Sequence, residues 1–82
     1  MKLDINDTAI LIWMPRGVFP DPEHYRVDAF GALGATLVHQ KMFPRPGEEP
    51  WIKVAGAAGA VLSPVQVLKA YENYKNDQDI NA

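Results

Sequence analysis

The two histidines, His24 and His39, are the side chains of this sequence best suited to acid–base chemistry. His24 lies beside Glu23 and four residues before Asp28, so on a helix His24 and Asp28 would share one face. A carboxylate that holds an imidazole is the usual orienting arrangement in acid–base sites. The chain has no cysteine, and its single serine, Ser63, is placed as a helix cap, so no nucleophile lies near either histidine. We therefore interpret His24 as part of a solvated helical turn and His39 as a half-buried strand residue. A small enzyme with one of them as general base is the third of three functional hypotheses.

The remaining polar patterns indicate no metal, cofactor or phosphate site. The histidine spacing matches no known zinc site, and no acidic residues follow EF-hand spacing. The glycine pairs at 31 and 34 and at 56 and 59 lack the further glycines and the lysine of a phosphate-binding loop. We predict no catalytic residue, no metal and no cofactor.

Two proline-rich stretches, residues 14–22 and 43–50, are the parts of the sequence most typical of a binding surface. Each carries an arginine among prolines and large apolar residues. Proline lowers the entropy that a loop loses on docking, and arginine and aromatic side chains are the commonest binding anchors. The predicted protein-contact patch consists of Arg16, Phe19, Phe43, Arg45 and Trp51. The alternative is that both stretches are ordinary connecting loops.

A nucleic-acid surface is the second hypothesis. Basic side chains next to aromatic rings combine phosphate contacts with stacking surfaces. The candidate residues are Arg16, Lys41, Arg45 and Lys53, beside Trp13, Phe43 and Trp51. However, the chain has 8 Lys and Arg against 10 Asp and Glu, a formal charge of −2, and Glu48 and Glu49 interrupt the patch. It therefore lacks the positive field of a general nucleic-acid binder.

The elements that position these residues begin with a strand over residues 8–14, a short apolar run between polar turn signals. A helix is predicted to open at Pro22, with Asp21 as N-cap. Its buried face would hold Tyr25, Ala29, Phe30 and Leu33, and Gly31 and Gly34 would limit its length. The competing interpretation makes residues 25–30 a strand, since apolar and charged residues alternate there and the GALG sequence at 31–34 could close a hairpin.

Two further strands are predicted over residues 35–43 and 51–55, separated by a turn-like loop. The tetrad at residues 63–66 is a capping box with proline at the first helical position, which predicts a final helix. Val67, Leu68, Tyr71 and Tyr74 follow it at helical spacing.

These elements predict an α+β fold of order β-α-β-β-α, with two helices packed on one face of a three-stranded sheet. Residues 1–82 would form a single domain, with residues 1–5 and 77–82 frayed. No apolar run is long enough to span a membrane, and the lack of cysteine fits the cytoplasm.

The leading functional hypothesis is a small non-enzymatic interaction protein. It would bind a protein partner, with a homo-oligomer as one form of this, through the loop patch or the tyrosine-bearing last helix. Its size is typical of regulators, inhibitors and assembly factors, including those that phages and mobile elements encode.

Overall fold

The computed structural model describes residues 2–20, 26–55 and 59–81. Their elements are, in order along the chain, β1 (Lys2–Leu3), β2 (Thr8–Pro15), β3 (Arg26–Ala32), α1 (Leu33–Met42), β4 (Glu48–Val54), β5 (Val61–Leu62), α2 (Pro64–Lys75) and β6 (Ile80–Asn81). The strands form a four-stranded antiparallel sheet of order β3-β2-β4-β5 and a two-stranded sheet of β1 and β6. The predicted α+β class with two helices is confirmed. The number and order of the strands differ from the prediction.

Strand β2 lies at the centre of the main sheet, where the sequence predicted the first strand. It pairs with β3 on one side and with β4 along its whole length on the other. Side chains alternate between the two faces of a strand, so Ala9, Leu11 and Trp13 face one way and Ile10, Ile12 and Met14 the other. The first three belong to the main core.

Both helices pack on this same face of the sheet, as predicted. Helix α1 contacts β2, β3 and β4, while α2 contacts β4, β5 and α1. The core between them contains Leu11, Leu33, Leu37, Ile52, Leu62, Val67 and Ala70. The opposite face of the sheet carries no helix in the described part of the chain, and we call it the helix-free face.

The strand predicted over residues 35–43 is wrong, since these residues belong mostly to α1. Leu33, Leu37 and Gln40 are buried at helical spacing. Ala32 caps the helix without a side-chain hydrogen bond. Instead, the first amide groups of α1 donate to main-chain carbonyls of the turn between β1 and β2, Leu33 N to Asp7 O at 2.8 Å and Gly34 N to Ile5 O at 3.0 Å.

The helix predicted to open at Pro22 is also wrong over the residues that the structure describes, because residues 26–32 form β3. The competing strand interpretation is the one observed, although the GALG sequence closes no hairpin and leads directly into α1. Residues 21–25, which include the predicted cap Asp21, Pro22 and His24, lie outside the described residues.

Helix α2 confirms the prediction from the capping box. The Ser63 side chain accepts from Gln66 N, and the Gln66 side chain accepts from Ser63 N at 2.9 Å. Val67 and Ala70 are the buried residues of this helix. The main-chain amide of its C-cap, Asn76, donates back to Glu72 O.

Residues close to the two chain ends, Lys2–Leu3 and Ile80–Asn81, pair as the two-stranded sheet. Leu3 pairs with Ile80, and both side chains are buried in the main core. This apolar burial stabilises the pairing of β1 with β6. Neither helix in the described ranges is long and apolar enough to cross a membrane.

Candidate functional site

The helix-free face presents three rows of side chains that run across the strands. Directly opposed residues in an antiparallel sheet point to the same side, so the register fixes each row. The first row is Phe30, Ile10, Lys53 and Val61; the second is Val27, Ile12 and Trp51; the third is Met14 and Glu49. Apolar side chains therefore dominate this face, with one base and one acid in the outer rows.

The centre of the helix-free face is buried, whereas its margins are exposed. Ile12, Met14 and Trp51 form a second, smaller core cluster. Phe30 is 79% exposed, and Val27 and Val61 are each 47% exposed. Phe19, from the loop after β2, packs edge-on against Trp51 with ring centroids 5.5 Å apart, and it is itself 77% exposed. The face thus has a packed floor and exposed aromatic side chains around it.

Trp51 also brings a polar group to the helix-free face. Its indole Nε1 is buried and has no hydrogen-bond partner among the described residues. Leaving a buried donor unsatisfied costs about 1–3 kcal/mol.

The two proline-rich stretches each contain a β-turn. Val18 N donates to Pro15 O at 3.0 Å, and Glu48 N donates to Arg45 O at 3.2 Å. Glycine at the third position of each turn has positive φ, 82° at Gly17 and 79° at Gly47, a conformation that type II turns require. These turns lie where β2 ends and β4 begins.

A polar cluster lies on the helix side of the same sheet, around Asp28. The Asp28 carboxylate accepts a hydrogen bond from Trp13 Nε1 at 2.8 Å and a second from Arg45 Nη2. His39 Nε2 lies 3.4 Å from Asp28 Oδ2. The cluster thereby joins β3 to β2, to α1 and to the loop after α1.

A β-bulge aims Asp28 at this cluster. The register shifts between Leu11, which is opposite Ala29, and Ile12, which is opposite Val27, so Asp28 is the extra residue. Bulges redirect side chains in this way. Without the extra residue, alternation would place Asp28 on the helix-free face.

The surroundings of Asp28 stabilise its charged form. Burial alone would raise the pKa of this carboxyl group, since only 14% of the side chain is exposed. The hydrogen bonds from Trp13 and Arg45, together with the charges of Arg45 and His39, outweigh burial and hold the pKa of Asp28 below its usual value. The Asp28 carboxylate is therefore ionised at neutral pH, where it holds the side chains of Trp13 and Arg45 by hydrogen bonds.

The contact between Asp28 and His39 has the composition of an acid–base pair, and it also links β3 to α1. The His39 ring packs against Phe43, with centroids 5.0 Å apart. The single serine, Ser63, lies at the start of α2 as its cap. No group of three metal-ligating side chains converges within the described residues. The sequence paired Asp28 with His24, which lies outside the described residues, and the structure places His39 beside Asp28.

The five residues predicted as a protein-contact patch are divided between the two sides of the sheet. Phe19 and Trp51 meet on the helix-free face. Phe43 and Arg45 lie on the helix side, next to His39 and Asp28. Arg16 is exposed in the turn at the end of β2.

The four basic residues of the nucleic-acid hypothesis lie in different parts of the structure. Lys41 lies over the ring of Tyr71, 5.8 Å from its centroid, at the contact between the helices. Lys53 is on the helix-free face, and Arg45 is engaged by Asp28. Arg16, in the turn after β2, is the fourth. The structure does not gather them on one surface.

Phe30, Val27 and Val61 are exposed residues of the helix-free face that the sequence interpretation missed. Phe30 was assigned to the buried face of a helix, which concealed its position on the sheet. Tyr71 and Tyr74 of the last helix, by contrast, are partly buried, because both side chains pack against the main core.

No protein-family model, curated protein or solved structure matches this chain. The helix-free face and the Asp28 cluster are the features of the described residues that bear on function.

Proposed function

We propose that this chain is a small non-enzymatic interaction protein, a regulator, inhibitor or assembly factor, that binds a protein partner through the helix-free face. The observation that supports it is the exposure of Phe30 and Phe19, 79% and 77%, on a sheet face that no described helix covers. A cytosolic location belongs to the proposal, since a chain without cysteine needs no oxidising compartment to fold.

Burial of the exposed aromatic side chains by a partner would contribute a large part of the binding free energy. Burying one large apolar side chain contributes about 1.5–3 kcal/mol, so Phe19 and Phe30 together would contribute roughly 3–6 kcal/mol. Contiguous exposed apolar surface marks interaction sites in folded proteins. The buried floor of Ile12 and Trp51 supports the patch from beneath and keeps it rigid, which limits the entropy lost on binding.

The proposed surface keeps part of the patch predicted from the sequence. Phe19 and Trp51 remain in it, with Arg16 at its margin. Phe43 and Arg45 are replaced by residues of β3 and β5, because those two side chains lie on the other side of the sheet.

Site-directed photo-crosslinking tests the proposal with a matched control. A benzophenone amino acid replaces Phe30 in one variant and Val65 in the other. Val65 is 78% exposed but lies on α2, away from the helix-free face. After irradiation in the cells that produce the chain, we expect protein adducts at position 30 that persist after nuclease treatment, and at most weak adducts at position 65. Equal adducts at both positions, or none at position 30, would contradict the proposal, and adducts that nuclease removes would favour the nucleic-acid hypothesis.

A further inference from the structure

We propose that the outer edge of β3 binds an extended strand of a partner protein, which adds to the main sheet beside β3. This inference rests on the proposed function and names the way in which the partner is bound. Strand β3 is the outer strand in the sheet order β3-β2-β4-β5, and no strand in the described part of the chain lies on its other side. An edge strand presents unpaired main-chain N–H and C=O groups, with which an extended chain can pair.

The hydrogen bonds of the sheet show which main-chain groups of β3 point outward. Along an antiparallel strand, residues bond alternately to the neighbouring strand on one side and to the one on the other. Ala55 N donates to Thr8 O at 2.8 Å, so Thr8 and every second residue after it bond to β4. Leu11 is one of the residues between, so it bonds to Ala29 of β3. Phe30, the next residue of β3, therefore points its N–H and C=O away from the sheet.

The bulge at Asp28 gives Val27 the same outward direction as Phe30. Val27 is opposite Ile12 and Phe30 is opposite Ile10, and both isoleucines bond to β4. The step from Val27 to Phe30 thus spans the length of two residues on β2, which is about 7 Å. Bulges often keep edge strands from pairing. Here, however, the outward groups keep the spacing of a regular strand.

Exposed apolar side chains lie near this edge on both sides of the sheet. On the helix-free face, Phe30 is 79% exposed and Val27 is 47% exposed. On the helix side, Phe43 is 59% exposed and packs against His39, which lies 3.4 Å from Asp28 of β3. Successive side chains of an added strand point to opposite faces, so they would pack on Phe30 and Phe43 in turn.

The described side chains of the edge favour an apolar partner strand. Asp28 is the one charged side chain described in β3, and it is paired with Arg45. A charged strand would therefore lose hydration without gaining an ion pair. Apolar residues at successive positions would instead bury surface on both faces.

A second copy of β3 fits this edge less well than a different chain. To engage both outward residues, the two strands would place Val27 of each copy opposite Phe30 of the other. Asp28 would then lie next to the two-fold axis in both copies, on the helix side. Opposed side chains of neighbouring strands are about 5 Å apart, and like charges there are destabilising. The charge of Asp28 thus favours a foreign strand.

Two synthetic peptides test the edge directly. Both have a central run of valines between terminal lysines. The first is N-methylated at every second valine, which leaves one edge able to pair and prevents self-association. The control is N-methylated at every valine and can pair on neither edge. The first peptide should bind, and the control should bind at least about tenfold more weakly, because it makes no main-chain hydrogen bonds through its amides.

Amide hydrogen exchange, followed by NMR, shows where the first peptide lies. In the free chain, the amides of Val27 and Phe30 should exchange rapidly, while that of Ala29, which faces β2, should be protected. The peptide at about ten times its Kd should slow exchange at Val27 and Phe30 by about tenfold. Exchange at both positions that the peptide leaves unchanged would overturn the inference.

Truncations on the two sides of the sheet separate edge binding from binding to the helix-free face alone. Phe30→Ala and Phe43→Ala should each raise the Kd of the first peptide about tenfold, since each removes one side of the contact. Val65→Ala, at a position of α2 that is 78% exposed, is the control and should leave the Kd unchanged.

Several results would overturn the inference. They are a Kd that Phe43→Ala does not change, equal binding of the two peptides, and no binding of either. A peptide-free chain that sediments at twice its mass of 9.1 kDa with a protected Phe30 amide would show a second copy at the edge instead. In each of these cases, protein adducts at position 30 would leave the proposed function standing.

Discussion

Removing the carboxylate of Asp28 is the change whose effect on stability follows most directly from the structure. Asp28→Ala deletes the acceptor for Trp13 Nε1 and for Arg45 Nη2, and it leaves the indole donor in a side chain that is only 4% exposed. His39 loses its charged neighbour as well. The substitution therefore removes the polar side-chain contacts that join the end of α1 and the following loop to the sheet.

The contributions of these contacts differ with their burial. A hydrogen bond to a charged group contributes about 1.5–3 kcal/mol, which applies to the bond from Trp13. The side chain of Arg45 is 33% exposed, so its ion pair contributes about 0.5–1 kcal/mol. The contact of His39 is longer and adds less. Asp28→Ala should thus lower the free energy of unfolding by roughly 2–4 kcal/mol, a large share of the ~4–12 kcal/mol expected for a chain of this length.

Urea denaturation followed by circular dichroism measures this loss, and a double-mutant cycle assigns it. Trp13→Phe and Asp28→Ala should couple by about 1–2 kcal/mol, while Arg45→Ala and Asp28→Ala should couple by about 0.5–1 kcal/mol. His39→Ala serves as the control and should change stability by less than about 1 kcal/mol. The reasoning is refuted if Asp28→Ala costs under about 1 kcal/mol, or if Trp13→Phe and Asp28→Ala are additive.

Two further predictions concern acid stability and helix contact. Because the pKa of Asp28 is lowered by folding, the unfolded state binds more protons below pH 4, so stability should fall as the pH drops from about 4 towards the lower folded pKa. The gap in unfolding free energy between wild type and Asp28→Asn should therefore be full at pH 7 and smaller at pH 3; a constant gap would show that the carboxylate charge contributes nothing. A Cβ at Gly34 would lie 2.9 Å from Tyr74 Cε1, so Gly34→Ala should destabilise wild type by about 1–2 kcal/mol and stabilise a Tyr74→Ala background by up to about 1 kcal/mol. Thermal melts of the four proteins measure both effects, and stabilisation in both backgrounds would contradict the proposed contact.

The elements that could be predicted from the sequence are those whose signals are local. In α2, Ser63 and Gln66 cap each other within one turn, and Val67 and Ala70 follow on one face. In β2, a short apolar run stands between polar turns. Neither element needs information from elsewhere in the chain, and both were predicted correctly.

Helix α1 and strand β3 were exchanged because their signals are distant in the sequence. The start of α1 is capped by main-chain carbonyls of Ile5 and Asp7, which leave no mark on residues 32–34. Thr36, a residue typical of strands, has its hydroxyl group satisfied by Leu33 O within the helix. The spacing of Leu33, Leu37 and Gln40 was the available helical signal, and the β-forming residues between them obscured it.

The candidate site could be predicted only in part for a related reason. Phe19 and Trp51 were selected as aromatic residues near prolines, and they do meet on one face. Phe30 was missed because its exposure depends on β3 being an edge strand beside β2, which no local pattern in residues 26–32 reveals.

The bulge at Asp28 connects the two surfaces of the sheet. An unbulged β3 would place Asp28 opposite Ile12, so that a charge would lie on the helix-free face, and Val27 would point towards the helices. The extra residue reverses both positions. Asp28 reaches Trp13 and Arg45, and Val27 joins Ile12 and Trp51 in an apolar row of the helix-free face. A single register shift thus gives the buried Nε1 of Trp13 an acceptor on the helix side of the sheet and keeps the Asp28 charge off the helix-free face. The polar cluster that stabilises the fold and the apolar face proposed to bind a protein partner therefore depend on the same residue.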